Sequence, residues 1–245
     1  MLAALLVAAG SFGQPNGGDR ARFFATLPNW TGYWIADDGV MNELGVSGRP
    51  ANGPADNAKK MLNAALPYNA DWAAKVEAAR KNPAQAARKE CGFPFPFMME
   101  SPWVLQFLIT PEETVVIAAG REIRHIYTDG RAHPSPEDVW STPWGDSVGK
   151  WDAHELRVDT IAVQPGAFPP MLSEHAHFTE RIRMVTPDRI EDELTVEDPV
   201  ALTRPWHATI PYARMKGLDR MVHGDCNEND RNPVVDGKLT IAPAN

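Results

Sequence analysis

The stretch His175–Glu197, HAHFTERIRMVTPDRIEDELTVE, decides the fold. Two runs in which apolar and polar residues alternate flank Thr186-Pro187-Asp188, which predicts two antiparallel strands joined by a tight turn. One face of the first run carries Ala176, Phe178, Glu180, Ile182 and Met184, and the other carries His175, His177, Thr179, Arg181 and Arg183. Because side chains alternate across a strand, the apolar face should point into a core.

The same period of two continues on both sides of this hairpin, between about Trp103 and Tyr212. The further strand candidates are WVLQFLIT, ETVVIAAG, REIRHIYTDG, DSVGKW, ELRVDTIAV and LTRPWHATIPYA. No helical segment separates them, so the pattern predicts an antiparallel meander that closes into a β-barrel. The fold class predicted is mainly β, an antiparallel meander forming a barrel, with an N-terminal helix and long loops.

The remaining segments complete this expected organisation. Residues 1–25 read as leader and linker, and residues 26–245 as a single barrel domain. A helical insertion is predicted at about residues 70–90, where Asp71 precedes an alanine-rich amphipathic run. The run CGFPFPFMMESP, residues 91–102, contains too many prolines for regular structure to be expected.

The N-terminal run and the two cysteines indicate the cellular compartment in which the protein is expected. MLAALLVAAG at residues 1–10 resembles the apolar part of a secretory signal, which predicts a periplasmic or secreted protein; a buried N-terminal helix is the alternative. In an exported chain the two cysteines, Cys91 and Cys226, favour a disulfide. Two unrelated thiols are the alternative.

Charge and motifs exclude several partners and cofactors. The net charge is −8 and no basic stripe or lysine and arginine cluster is present, so neither nucleic acid nor stable membrane insertion is expected. No dinucleotide or phosphate-binding glycine motif occurs, so no cofactor is implied. Eight tryptophans indicate a large aromatic surface that is buried or holds a hydrophobic or aromatic small molecule.

Acids on otherwise apolar strand faces are the candidate chemical groups. Glu180 and Asp192 should both point inward, and an acid in an apolar interior either pairs with a cation or has a raised pKa. On the strand from Glu122 to Tyr127 the alternation is interpreted with His125 and Tyr127 inward and Arg124 outward. The candidate catalytic residues are Glu180, His125, Tyr127, Asp192 and His177. The alternative is a structural ion pair of Glu180 with Arg124 or Arg204.

A second group of residues is expected to hold the small molecule. These candidate binding residues are Trp206, Tyr212, Phe178, Trp103, Trp151, Arg204 and Asp129. The strand pattern places Trp206 and Tyr212 on an inward face, whereas Asp129 belongs to an Asp-Gly turn that has a structural interpretation as well.

One metal-like pattern is present. His175 and His177 share a face of one strand, and His-x-His followed by a glutamate is similar to the cupin motif. Glu180 falls two residues after the second histidine, so it faces away from both, and two partly exposed histidines are the favoured interpretation.

Four segments resemble a large family of exported bacterial proteins for which no activity is settled. They are HIYTDGRAHP (125–134), WGDSVGKWDAHELRVDT (144–160), FTERIRMVTPDRIEDELTVEDPVALTRPW (178–206) and DCNEND (225–230). The resemblance implies the barrel and export, and it implies no reaction. Gly32 and Trp34 are similar to the first-strand signature of lipocalins. This resemblance agrees with the barrel and implies that it is lipocalin-like.

Three functions remain open at this level. The first is a cofactor-independent lyase or isomerase in which Glu180 exchanges protons with an aromatic substrate. The second is a carrier that binds the same kind of molecule without chemistry. The third is a cupin-like metalloenzyme.

Overall fold

The computed structural model describes residues 17–36, 66–81, 93–100, 104–120, 122–164 and 172–221, together with the backbone of residues 234–235 and 238–239. The apolar run at residues 1–10, Cys91, Trp103 and Cys226 lie outside the described residues, so the predicted leader, disulfide and Trp103 contact stay predictions.

Nine strands close into a barrel in the order in which they follow along the chain, which confirms the predicted fold. They are β1 (Trp34–Ala36), β2 (Leu105–Ile109), β3 (Glu113–Ala118), β4 (Ile123–Tyr127), β5 (Asp146–Asp152), β6 (Glu155–Ile161), β7 (His177–Thr186), β8 (Arg189–Glu197) and β9 (Trp206–Arg214). A separate pair, β10 (Val234–Val235) and β11 (Lys238–Leu239), forms a short antiparallel ribbon.

One pairing departs from the antiparallel meander. β4 and β5 run parallel and share only two register pairs, Ile126 with Ser147 and Tyr127 with Val148. A closed ring of nine strands has nine neighbouring pairs. Strand direction can reverse only an even number of times around a closed ring, so at least one of these pairs must be parallel. Gly149 permits the close approach at this seam, because a Cβ there would lie 2.8 Å from Ile126 Cγ2.

Of the three helices in the described residues, two precede the barrel strands β2–β9 and pack outside them. α1 (Gly17–Thr26) covers residues that the sequence pattern assigns to a linker, and the Arg20 guanidinium, 2.7 Å from Glu112, ties it to the β2–β3 turn. α2 (Ala70–Lys81) agrees with the start of the predicted helix, and residues 82–90 lie outside the described part. No helix among the described residues has the length and apolar character needed to cross a bilayer.

The third helix fills part of the barrel. α3 (Phe97–Glu100) is one turn, and all four of its residues are buried. No regular structure was expected here, but the prolines precede the turn, where a helix tolerates them. Their carbonyls accept its first hydrogen bonds, from Met98 N to Pro94 O at 3.0 Å and from Met99 N to Pro96 O at 2.9 Å.

The core lies between α3 and the inward faces of the strands. Its fully buried side chains include Trp34, Met98, Leu105, Ile126, Leu156, Ile182, Ile190 and Tyr212. The inward faces predicted for β7, β8 and β9 are confirmed, because their inward residues are almost all buried, whereas His177, Arg181 and Arg183 point outward.

Candidate functional site

Arg124 and Glu180 form a buried ion pair inside the barrel. Both side chains are 1% exposed or less, and the guanidinium donates to both carboxylate oxygens, at 2.9 Å and 2.5 Å. This geometry fits an ionised glutamate and a planar cation. The predicted alternative for Glu180, a structural ion pair with Arg124, is therefore confirmed.

Two hydroxyl groups, Ser147 on β5 and Thr160 on the neighbouring strand β6, accept further hydrogen bonds from Arg124. Arg124 Nη2 donates to Thr160 Oγ1 at 2.9 Å and to Ser147 Oγ at 3.2 Å, and the two hydroxyl oxygens lie 2.8 Å apart. The guanidinium carbon lies 3.9 Å from the centre of the Phe95 ring, within cation–π range. We call Arg124, Glu180, Ser147 and Thr160 the paired half of the interior.

Arg124 corrects the interpretation of β4. The pattern placed Ile123, His125 and Tyr127 inward because they include two apolar side chains, whereas the structure buries Arg124 and Ile126 and leaves Ile123 46% exposed. A buried arginine is stable here because Glu180 on β7 compensates its charge. Counting apolar residues on one strand could not reveal a partner on another strand.

The inward prediction for His125 and Tyr127 was accordingly wrong. His125 lies on the outer wall, where its Nδ1 is 2.8 Å from Glu113 Oε2 and its ring stacks on Tyr127 at 6.2 Å. The Arg131 guanidinium lies 4.1 Å from the Tyr127 ring and also pairs with Asp129. Hydrogen bonding from Arg131 lowers the pKa of Asp129, so this acid is an ionised turn residue outside the barrel.

Asp192 is the second acid of the interior. It is fully buried, and neither oxygen has a hydrogen bond of acceptable geometry in the described part of the chain. Burial raises the pKa of Asp192 well above its usual value, and the neighbouring charge of Glu180 raises this pKa further, although Arg124 opposes it. A protonated Asp192 can also donate to Glu180, whereas an ionised one can only repel it.

Tyr212 lies on the neighbouring strand, where it pairs in register with Ile190, two residues from Asp192 on the same inward face. It is fully buried, and its hydroxyl has no hydrogen-bond partner among the described residues. Burial, with smaller contributions from the charges of Asp192, Glu180 and Glu100, raises the pKa of Tyr212 well above its usual value.

A row of aromatic rings continues from Tyr212 across the interior. The Tyr212 ring centre lies 6.3 Å from Phe107, Phe107 lies 5.4 Å from Trp30, and Trp30 lies 5.1 Å from Trp151. The indole Nε1 atoms of Trp30 and Trp151 are buried and, within the described ranges, have no acceptor. We call Asp192, Tyr212, Phe107, Trp30 and Trp151 the open half of the interior.

A pocket of about 340 Å³ opens beside this row, between the end of α1 and the rim of the barrel. Trp30, Phe107 and Ile109 line it from the barrel side, and Phe24 and Leu27 line it from the helix side. Its walls are therefore mainly apolar and aromatic, as in sites that bind small molecules.

The other predicted binding residues are distributed over the barrel. Phe178 is buried against Phe95, with ring centres 5.0 Å apart, and belongs to the core beside the paired half. Trp206 is half-buried and packs on the core, whereas Arg204 is exposed and contacts the Pro205 carbonyl at 3.3 Å. Only Tyr212 and Trp151 of the predicted binding set join the open half.

His177 lies on the outer wall in a chain of histidines and carboxylates. Its Nε2 is 2.8 Å from Asp159 Oδ2, while Asp159 Oδ1 is 2.8 Å from His133 Nε2. His133 Nδ1 is in turn 2.5 Å from Asp146 Oδ1. We call these four residues the outer relay.

His175 lies apart from the outer relay, with its Nε2 3.9 Å from Glu174. Within the described ranges, no three histidine, cysteine, aspartate or glutamate side chains are arranged to hold a metal ion. The His175 and His177 pair therefore has no third ligand there, and this arrangement does not favour the cupin-like hypothesis.

The chain matches no protein-family model. No curated protein matches it either. The interpretation of the site therefore depends on its geometry.

Several residues of the site are not among those predicted from the sequence. Ser147 and Thr160 sit at inward positions of predicted strands, so parity alone could have placed them inside. Trp30 and Glu100 precede their nearest strands and follow no period, so no comparable signal marks them. The interior thus offers the hydrogen-bonded Arg124–Glu180 pair on one side and, beside an aromatic pocket on the other, buried polar groups without partners among the described residues.

Proposed function

We propose that the protein binds a small aromatic molecule at the open half of its barrel, as lipocalin-like proteins do. The observation that carries this proposal is a set of buried polar atoms without partners in the described chain, the Trp30 and Trp151 indole nitrogens and the Tyr212 hydroxyl, along a row of aromatic rings. Buried polar groups are normally hydrogen-bonded, so such atoms mark a place where a ligand or water supplies the missing partner.

The chemistry of these groups indicates the ligand class. Indole nitrogens donate only, and a protonated carboxyl and a phenol can each donate or accept. The ring faces and the apolar pocket favour a flat hydrophobic body. A neutral aromatic molecule with one oxygen acceptor meets both requirements, whereas an anion would meet the charges of Glu180 and Glu100.

The matched probes 2-naphthol and naphthalene test this proposal. Titration with 2-naphthol should shift the Trp30 indole N–H resonance in a saturable way, and naphthalene should bind more weakly because it lacks the oxygen. Trp30→Phe should weaken 2-naphthol binding about ten-fold, equivalent to about 1.4 kcal/mol.

The control is Trp140→Phe, which changes a tryptophan that is 82% exposed and does not line the pocket. This variant should bind like the wild type. Equal weakening by both substitutions, or no saturable shift of the Trp30 resonance, would contradict the proposal.

A second candidate function follows from the raised pKa of Asp192. An acid whose pKa is raised by burial, beside a phenol, suits general acid catalysis, so a lyase or isomerase of aromatic compounds would use Asp192 rather than Glu180. Glu180 is unsuited to proton transfer because Arg124 occupies both of its oxygens.

Asp192→Asn, assayed beside the wild type on aromatic compounds that bind the protein, separates the two functions. The carrier proposal expects binding without turnover in both proteins, while the catalytic proposal expects turnover that the variant loses and binding that it keeps. Turnover that Asp192→Asn leaves unchanged would exclude Asp192 as the acid.

The proposal includes export of the protein from the cytoplasm. The apolar run at residues 1–10 and the resemblance to exported bacterial proteins support a periplasmic or secreted carrier, in which Cys91 and Cys226 would form a disulfide. Mass determination of the purified protein before and after reduction tests the disulfide: a gain of about two mass units supports it, and no change contradicts it.

A further inference from the structure

A groove of about 380 Å³ lies on the outer wall of the barrel, next to the outer relay. Its walls are largely apolar and come from Pro134, Pro136, Val139, Ile161 and Ala162. Four polar side chains also line it, Ser141, Glu174, His175 and His177. Lysine and arginine are absent from the described residues of the lining, so the groove joins apolar walls to one carboxyl group. Its volume suits a small molecule with one ring.

Hydrogen bonds fix the loop wall of the groove, residues 134–141, before any ligand binds. At one end the loop is joined to the end of β6, because Thr142 N donates to Ala162 O at 3.1 Å. At the other end it is joined to β6 through His133 Nε2, which lies 2.8 Å from Asp159 Oδ1. A wall that is already ordered lowers the entropic cost of binding a ligand.

The opposite wall, residues 174–177, is fixed by Asp198, which is buried. The Asp198 carboxylate accepts from Ser173 N at 2.6 Å and from Ser173 Oγ at 2.8 Å. Ser173 Oγ in turn accepts from His175 N at 3.1 Å. Glu174 lies between these two anchored residues, so its backbone is held at the groove while its side chain remains exposed.

Glu174 is the acid of the groove that can accept a further hydrogen bond. Asp159, which contacts the lining residue His177, already lies 2.8 Å from the ring nitrogens of two histidines. Glu174 has one ion-pair contact within 4 Å among the described residues, to His175 Nε2, and at 3.9 Å it is beyond hydrogen-bond length. The carboxyl group of Glu174 is therefore available to a cation that enters the groove.

We propose that this groove is a second binding site, and that its ligand is a small organic cation with a primary ammonium group on a compact apolar body. The walls contact the body, Glu174 accepts from the ammonium group, and Ser141 Oγ accepts a further hydrogen bond. An anion would meet Glu174 without a lysine or arginine among the described lining residues to compensate it. A neutral molecule would make the apolar contacts but no ion pair. The ligand thus differs in charge from the neutral aromatic molecule proposed for the interior.

Three probes that share a phenylethyl body and differ in charge test the proposal: phenethylammonium, 2-phenylethanol and 3-phenylpropanoate. NMR titration at pH 8, above the ordinary histidine pKa of about 6.5, follows the Ala176 amide and the Val139 methyl groups. We expect saturable shifts and a Kd for the cation about three-fold lower than for the alcohol, within the range of exposed ion pairs. The anion should bind most weakly. No saturable shift with the cation, equal Kd values for cation and alcohol, or tightest binding of the anion would overturn the proposal.

Glu174→Gln removes the charge and nearly keeps the size of the side chain. It should raise the Kd of phenethylammonium to that of 2-phenylethanol, whereas the Kd of the alcohol should stay within about two-fold of the wild type. The matched control is Glu77→Gln, which makes the same change of net charge on α2, where Glu77 pairs with Lys81 and does not line the groove. This control should bind all three probes like the wild type. Equal loss of cation binding in the two variants would mean that the net charge of the protein attracts the cation, which would contradict a site at Glu174.

Val139→Ser tests the apolar wall separately from the charge. It should weaken the binding of all three probes alike, by about three-fold, because it removes apolar surface and leaves Glu174 unchanged. Val185→Ser, at a valine that is 39% exposed and outside the lining, is the control, and circular dichroism checks the fold of both variants. Unchanged binding in Val139→Ser, or weaker binding of the cation alone, would count against the groove. Shifts of the Trp30 indole resonance without shifts of Ala176 would place the probes in the interior and would also overturn the proposal.

Discussion

Glu180 and Asp192 are two acids on adjacent strands of one barrel, both pointing inward and both almost completely buried, yet their surroundings differ. Glu180 receives two hydrogen bonds from Arg124, which Ser147 and Thr160 hold in turn. No hydrogen bond of acceptable geometry in the described residues reaches Asp192. Burial alone therefore does not decide what a buried acid does, since the first is paired with a buried cation and the second has a raised pKa.

The difference between the two acids distinguishes the part of the interior that stabilises the fold from the part that can bind a ligand. A closed, charged network specifies one arrangement of side chains, because Arg124 already bonds to Glu180, Ser147 and Thr160. An unpaired acid and phenol lower stability until something binds them. The open half beside the aromatic pocket is therefore the better place for a ligand.

Removing the cation of the paired half should have the largest effect. Arg124→Met leaves Glu180 buried without a partner, and we expect a loss of about 3–5 kcal/mol in the free energy of unfolding. Urea denaturation measures it. The control, Arg181→Met, removes a half-exposed partner of Glu155 and should cost about 0–1 kcal/mol. Similar losses in the two variants would mean that the interior pair is solvated.

Asp192→Asn should change how stability depends on pH. The folded-state pKa of Asp192 is raised, so the folded protein binds more protons than the unfolded chain, and the resulting stability is complete below the unfolded pKa of about 3.9. It is lost as pH rises through the folded pKa, at up to about 1.4 kcal/mol per pH unit. Relative to Asp192→Asn, the wild type should therefore lose stability above about pH 4. Parallel curves would contradict a raised pKa.

Thr160→Val removes a hydroxyl that accepts from Arg124 at 2.9 Å. Hydrogen bonds to charged groups contribute about 1.5–3 kcal/mol, so a loss of that order is expected in urea denaturation. A loss near zero would show that Ser147 alone can hold the guanidinium.

Tyr212→Phe should have the smallest effect, although it also removes a fully buried hydroxyl. That hydroxyl has no partner in the described residues, so the free energy of unfolding should change by less than about 0.5 kcal/mol or rise. Thermal unfolding without ligand measures it, with Thr160→Val as the comparison. A loss as large as that of Thr160→Val would reveal a partner for Tyr212 and would close the open half.

The sequence predicted the barrel well because its strands alternate cleanly. On β7 and β8 the inward sets containing Glu180 and Asp192 followed from parity. On β4 parity failed because Arg124 is polar, and only its contact with another strand explains its burial. Trp30 and the α3 turn are placed by tertiary packing, and the outer relay joins a loop to β5, β6 and β7, so local patterns could not predict them.

A ¹³C NMR titration of the Asp192 carboxyl carbon tests the central claim about this acid most directly. We predict that Asp192 remains protonated at pH values where exposed aspartates, with a pKa of about 3.9, are already ionised. An Asp192 signal that titrates together with exposed aspartates would contradict the account.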